Sequence, residues 1–168
     1  MIYALRLIHI LSGAFWYGTV IFAARFLMPA LRGAGPAAGP VMKQLDERRM
    51  SMAIMGAGIV NLGSGIWLMF LVSGGAMGEW MRSGPGRTFG IGGALAILAF
   101  ILGVTMNPPA AKRMAAIAAA AAKRGGPPSP EEAAELARLQ KRLGLGTVIA
   151  ATLLTMAIAA MAVARYMP

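Results

Sequence analysis

Cysteine is absent from this chain and histidine occurs once. Together these exclude a disulfide framework, a thiolate metal site, a cysteine nucleophile and any two-histidine metal site within the chain. Acidic residues are scarce: six Asp+Glu stand against sixteen Lys+Arg, and charged residues make up 13% of the 168 residues, about half of what soluble domains carry. The apolar share of 58% exceeds the roughly 45–50% of soluble chains. An ordinary soluble domain is thereby excluded, and the choice narrows to transmembrane helices or a barrel.

Four long apolar stretches decide that choice, at about 2–28, 50–73, 88–107 and 145–165. Each matches the roughly 20 residues that a helix needs to cross the hydrocarbon core, whereas barrel strands are about half as long and alternate apolar with polar residues. The expected fold is an all-α integral membrane four-helix bundle, a single transmembrane domain covering 1–168. The net charge of +10 is no nucleic-acid footprint, because the basic residues fall in loops between apolar runs. Loop 29–49 carries Arg32, Lys43, Arg48 and Arg49, and loop 108–144 carries Lys112, Arg113, Lys123, Arg124, Arg138, Lys141 and Arg142, against Arg82 and Arg87 in the middle loop. The positive-inside bias then makes the first and third loops cytoplasmic and places both termini on the other side of a bacterial-type inner membrane. Tyr3, Trp80 and Tyr166 fall at the outer interface in that arrangement, where amphipathic rings prefer to sit. The first apolar run is too long for a cleavable signal and lacks a basic lead, so the first helix is expected to be retained. Basic residues in the two cytoplasmic loops find sufficient partners in anionic lipid headgroups.

The loops differ in character. Gly33, Gly35, Pro36, Gly39 and Pro40 predict irregular chain up to Val41. In the third loop, Ala-rich residues 110–123 prolong the third helix by propensity, and Gly125-Gly126-Pro127-Pro128 break it. Ser129-Pro130-Glu131-Glu132 then restart a helix with an N-cap, a first-turn proline and acids against the helix dipole. A cytoplasmic helical hairpin between helices three and four is expected, with Glu135 able to pair with Arg138 or Leu139 able to pack inward. It serves as a connector or as a docking surface.

Small residues repeat every four positions at Ala53, Ala57, Asn61 and Gly65, and again at Thr147, Ala151, Thr155 and Ala159. Such stripes let helix backbones approach closely in lipid, within the bundle or against other integral membrane subunits. Intramembrane polar residues are few: His9, Ser12, Thr19, Asn61, Ser64, Thr105 and Asn107. No Asp, Glu or Lys lies at mid-membrane depth, which argues against proton relays, ion pumping and carboxylate catalysis. His9 is the candidate ligand, sharing a helical face with Arg6, Gly13 and Trp16 through spacings of three, four and seven. A neutral imidazole there suits haem b iron or the magnesium of a chlorophyll-type pigment, with Arg6 placed for a propionate; the alternative is a hydrogen bond to a neighbouring helix. The fourteen methionines form no tight cluster with other soft ligands.

His9-Ile-Leu-Ser-Gly-Ala-Phe-Trp16-Tyr-Gly18, followed by Arg25, resembles the opening helix of the HemJ-type protoporphyrinogen oxidases and CopD-like small haem-associated membrane proteins. Gly65-Ile66-Trp67-Leu68 is similar to the Gly-aromatic end of their second helix. The resemblance implies haem at His9. It also implies a Lys and a further His on the third helix, and residues 88–107 hold neither, so oxidase chemistry does not carry over. Two readings stand. One is a non-catalytic accessory or scaffolding subunit of a larger membrane complex, such as a respiratory or photosynthetic one. The other is a haem-binding oxidoreductase acting on porphyrinogen or quinone with His9 as axial ligand. A copper-permease reading has only the CopD-like similarity behind it.

Overall fold

In a computed structural model the chain is helical throughout, with no strand among the described residues. The structure describes the main chain of residues 1–168 and every side chain except those of Pro36 and Asn107. The polar role expected of Asn107 therefore lies outside the described residues. Four helices are long and apolar enough to cross a membrane: α1 (Ile2–Gly33), α3 (Met50–Val72), α5 (Gly84–Lys123) and α6 (Pro130–Val163). Two shorter helices, α2 (Ala38–Glu47) and α4 (Met77–Trp80), lie in the connections.

Close approaches between helices set a common level. Trp16 meets Gly58, Gly13 meets Asn61 and His9 meets Gly65, so the antiparallel α1 and α3 place Ala24 opposite Met50 and Ile2 opposite Val72. Phe100 joins Trp16 at Gly58, and Met106 meets Gly146, which brings Pro108 and Gly144 to the level of Ala24 and Met50. Arg25, Arg48, Arg49, Lys112, Lys141 and Arg142 gather around this end of the bundle, the basic end. Tyr3, Trp80 and Tyr166 gather at the other. α3, with 23 residues and about 35 Å of helix, measures one bilayer crossing. α5, with 40 residues, runs far past the basic end.

The interior is built from small side chains. Trp16, Ala96, Ala99, Ala150, Leu154 and Ala157 form the buried centre, and Trp16 meets Phe100 edge-on at 5.9 Å. Alanine and glycine bring α5 and α6 together along most of their shared length, and α1 pairs chiefly with α3. In lipid this close packing, rather than hydrophobic transfer, holds helices together.

The structure departs from the sequence-based expectations at the basic end. α1 continues to Gly33 instead of stopping near residue 28, and it carries Pro29. Proline has no N–H to donate. A π turn over Ala23–Leu27, in which the Met28 N–H reaches back to the Ala23 carbonyl, absorbs the misfit just before it. Regular structure resumes at a 3-10 turn, Gly35–Ala37, and at Ala38, earlier than Val41. Gly39 and Pro40 lie in the first turn of α2, where main-chain N–H groups have no partners in any case. Arg49 (φ 57°) turns the chain into α3 from the left-handed region.

Beyond Pro108 and Gly144, α5 and α6 continue as an antiparallel hairpin closed at Gly125 (φ 68°). Ala110, Ile117 and Ala121 are buried between its arms. The Ser129 hydroxyl accepts from the Glu132 N–H (3.2 Å), while the Glu132 carboxylate accepts from the Ser129 N–H (2.8 Å), a reciprocal cap on α6. Glu135 pairs across the hairpin with Arg113, whose Nε and Nη2 donate at 2.7 and 2.9 Å. This partner lies in α5, not at Arg138 one turn away. Arg124 pairs with Glu132.

Hydrogen bonding from Arg113 holds the Glu135 carboxyl below its ordinary value near 4.5, and hydrogen bonding from Arg124 does the same for Glu132. A depressed folded pKa gives stability that is present above the unfolded value and is lost as the pH falls through the folded one. Hydrogen exchange of hairpin amides is therefore expected to be flat, after correction for intrinsic rate, from neutral pH down to about 4.5. It should accelerate below that while the α3 amides stay protected. A constant hairpin protection down to pH 2.5 would show that the two ion pairs contribute nothing to its closure.

Candidate functional site

Within the spans, polar groups converge where α1 crosses α3. The crossing is close because Gly13 and Gly65 present no side chain: a Cβ on Gly13 would lie 2.7 Å from the Asn61 amide nitrogen, and one on Gly65 would lie 2.8 Å from His9 Cε1. The imidazole of His9 therefore lies against the α3 backbone at Gly65. Its Nδ1 is 2.9 Å from the main-chain oxygen of Asn61 and 3.2 Å from Ser64 Oγ.

These distances place a proton on Nδ1. A carbonyl oxygen only accepts, so the short contact requires a proton on Nδ1. Ser64 Oγ donates to the carbonyls of Val60 (2.6 Å) and Asn61 (3.0 Å), which leaves its lone pairs to share the same imidazole proton. The Asn61 amide donates to the main-chain oxygen of His9 at 2.8 Å. Its 3.3 Å approach to His9 Nδ1 then sets two donors side by side and is not a second bond. Ser12 Oγ donates to the carbonyls of Ile8 and His9. Asn61 and Ser64 are 8% and 7% exposed, and no buried side-chain polar atom among the described residues lacks a partner. The Nε2 atom, on the far side of a half-buried ring, has no hydrogen-bond partner among the described residues.

The other residues singled out from the sequence take separate places. Trp16 is buried in the core against Phe100 and Gly58, on the same face as His9 but two turns deeper. Arg6 is exposed toward the end of the bundle away from the basic residues. On α3, Asn61 is buried, Ala57 and Gly65 are half-buried and Ala53 is exposed. On α6, Ala151 is buried, Thr147 is half-buried, and Thr155 and Ala159 are exposed. Thr155 Oγ1 still reaches Tyr17 Oη at 3.4 Å. A strict four-residue stripe drifts around a helix of 3.6 residues per turn, and the buried line on α6 instead runs Gly146, Ala150, Leu154, Ala157. Gly58 and Phe100 complete the crossing. Gly58 stands three residues from Asn61 in the sequence, but nothing there names Phe100 as its partner.

A neutral imidazole with Nδ1–H anchored to a carbonyl and Nε2 unprotonated is the form that ligates metal. His9 would be the residue to hold the metal of a haem or a chlorophyll-type pigment, through Nε2. Trp16 has no place in such a site, because the core already encloses its ring. No group of three or more His, Asp or Glu side chains is placed to hold a bare metal ion among the described residues.

Asn61→Leu keeps the branching at Cγ but removes the amide donor. A loss of about 1 kcal/mol in bundle stability is expected, in the range of interhelical hydrogen bonds in lipid. The His9 Nδ1–H bond goes to the Asn61 main chain and should survive, leaving the nitrogen-15 signature of the imidazole unchanged. A tautomer change in this variant would refute the assignment of the main-chain oxygen as the acceptor.

Comparisons with protein-family models, with curated proteins and with solved structures find no match.

Proposed function

We propose that the chain is a non-catalytic accessory subunit of a larger membrane assembly, and that α1 is the helix it offers to its neighbours. The observation that supports this reading is the uneven burial of the spans. In the most apolar stretch of α1 only 6% of residues are buried, against 28% in α6. Leu7, Leu11, Phe15, Phe22 and Phe26 point outward, and Gly18 among them has open space beyond it. A rigid aromatic and aliphatic surface with a small-residue notch suits packing against other transmembrane helices. The hairpin, with exposed Lys112, Arg138 and Lys141, adds a docking arm outside the bilayer. By the positive-inside bias the basic end and hairpin face the cytoplasm, and both termini face the other side of a bacterial-type inner membrane. The test is a native gel of mildly solubilised source membranes with mass spectrometry of the bands. Comigration with one large complex is expected. Migration solely as a small monomer or dimer would overturn the reading.

The free Nε2 of His9 supports a second reading, in which the chain holds haem b or a chlorophyll-type pigment, consistent with the resemblance to HemJ-type proteins. The group would supply light absorption or one-electron transfer. The chain's own part is to fix the imidazole through Asn61 and Ser64 and to set Arg6 one turn away. An absorbance band that copurifies with the chain should vanish in His9→Ala, and an unchanged spectrum would remove this reading.

A further inference from the structure

We infer that α2 is an interfacial anchor, lying with its apolar face in the lipid leaflet at the basic end. Ala38, Val41, Met42 and Leu45 fall on one side of this helix, and Lys43, Gln44, Asp46 and Glu47 on the other. On the polar side Lys43 Nζ stands 3.8 Å from Glu47. The apolar side is only partly covered: Val41 is 45% and Met42 38% exposed, Ala38 and Leu45 are half-buried, and the main contacts of α2 are with the turn before it and with α3.

What covers that face follows from where the chain holds it. α3 begins at Met50, three residues after α2 ends, and Met50 lies at the level where the spans emerge. α1 passes that level and continues to Gly33, and α2 joins its end to the start of α3. Arg25 in α1, and Arg48 and Arg49 at the corner into α3, are exposed at the same height, where their charges meet lipid phosphates. A short amphipathic helix with cations at its rim matches the acyl–headgroup boundary, apolar below and anionic above. This inference does not rest on the subunit reading.

The absence of native cysteine makes the test direct. Single-cysteine variants at Val41, Leu45, Lys43 and Glu47 carry a nitroxide label in the full chain, reconstituted alone into discs of phosphatidylcholine with phosphatidylglycerol. Labels at 41 and 45 are expected to collide with dissolved oxygen at least threefold more, relative to a water-soluble nickel chelate, than labels at 43 and 47. Equal, chelate-dominated collisions at all four positions would overturn the inference, as would labels at 41 and 45 shielded from both reagents, which would mean a protein cover. As a second measurement, Val41→Asp with Leu45→Asp should speed hydrogen exchange in α2 at least fivefold and leave the α3 amides protected. Unchanged exchange in α2 would overturn the inference too.

Discussion

Trp16→Ala should be the most damaging single truncation in the chain, costing about 3 kcal/mol, the low end of what burying and then deleting a large aromatic usually implies. The low end applies because the comparison state of a membrane helix is lipid. Transfer of the indole out of water contributes little, and the cost is the void left among Gly58, Phe100, Ala96 and Leu154. Trp16 is 5% exposed and lies at the meeting of α1, α3 and α5, so no single helix can shift to fill the space. Reversible unfolding in mixed micelles, or steric trapping in lipid discs, measures the loss. A change below about 1 kcal/mol would mean that the crossing collapses around the void and that the interior is not held rigidly.

The second large effect is expected from adding atoms at the same crossing. A Cβ at Gly58 would stand 2.8 and 2.9 Å from the Phe100 ring and 3.2 Å from Trp16 Cε2. Neither ring has a flexible end that could swing aside, since each is wedged against the other at 77°. Gly58→Ala should therefore cost about 1–3 kcal/mol, the usual range for overpacking, and Gly58→Val more. Because the clash has a named partner, Phe100→Leu in the same chain should recover part of the loss. A double variant no more stable than the sum of the two single losses predicts would argue that α3 moves instead of Phe100. Gly63→Ala is the control: nothing lies within 4 Å of its Cβ position, and it should be close to neutral.

The four spans were legible because length and hydropathy suffice for them, and α3 in particular ends within one residue of its expected limits. The hairpin was legible from local chemistry: the Gly-Gly-Pro-Pro break, then Ser129, Pro130 and Glu132 in capping order. What local chemistry does not carry is partnership across helices. The sequence offered Glu135 a neighbour at Arg138, and only the antiparallel register brings Arg113 to it. The residues of the polar knot were each visible as costly intramembrane groups. That Asn61 would meet His9 through its main-chain oxygen is a property of the crossing, which Gly13 and Gly65 make possible from two different helices. The extension of α1 across Pro29 was hidden for a related reason. A proline reads as a stop, and the π turn that accommodates it leaves no signature in composition.

Pro108 and Pro109 sit inside α5 where it leaves the bundle. Neither has an N–H to return to the carbonyls of Val104 and Thr105, so the helix there lacks two of its rungs while its outline continues unbroken. Outboard of that point, fourteen residues of α5 strapped to α6 by Arg113–Glu135 and Arg124–Glu132 form a stiff lever on a soft fulcrum. At 1.5 Å per residue the lever is about 21 Å long, and each ten degrees of bend at the prolines carries its tip sideways by about 4 Å. Any such bend must be taken up by α6 as well, which passes the same level as one unbroken helix with Gly144 and Gly146 there.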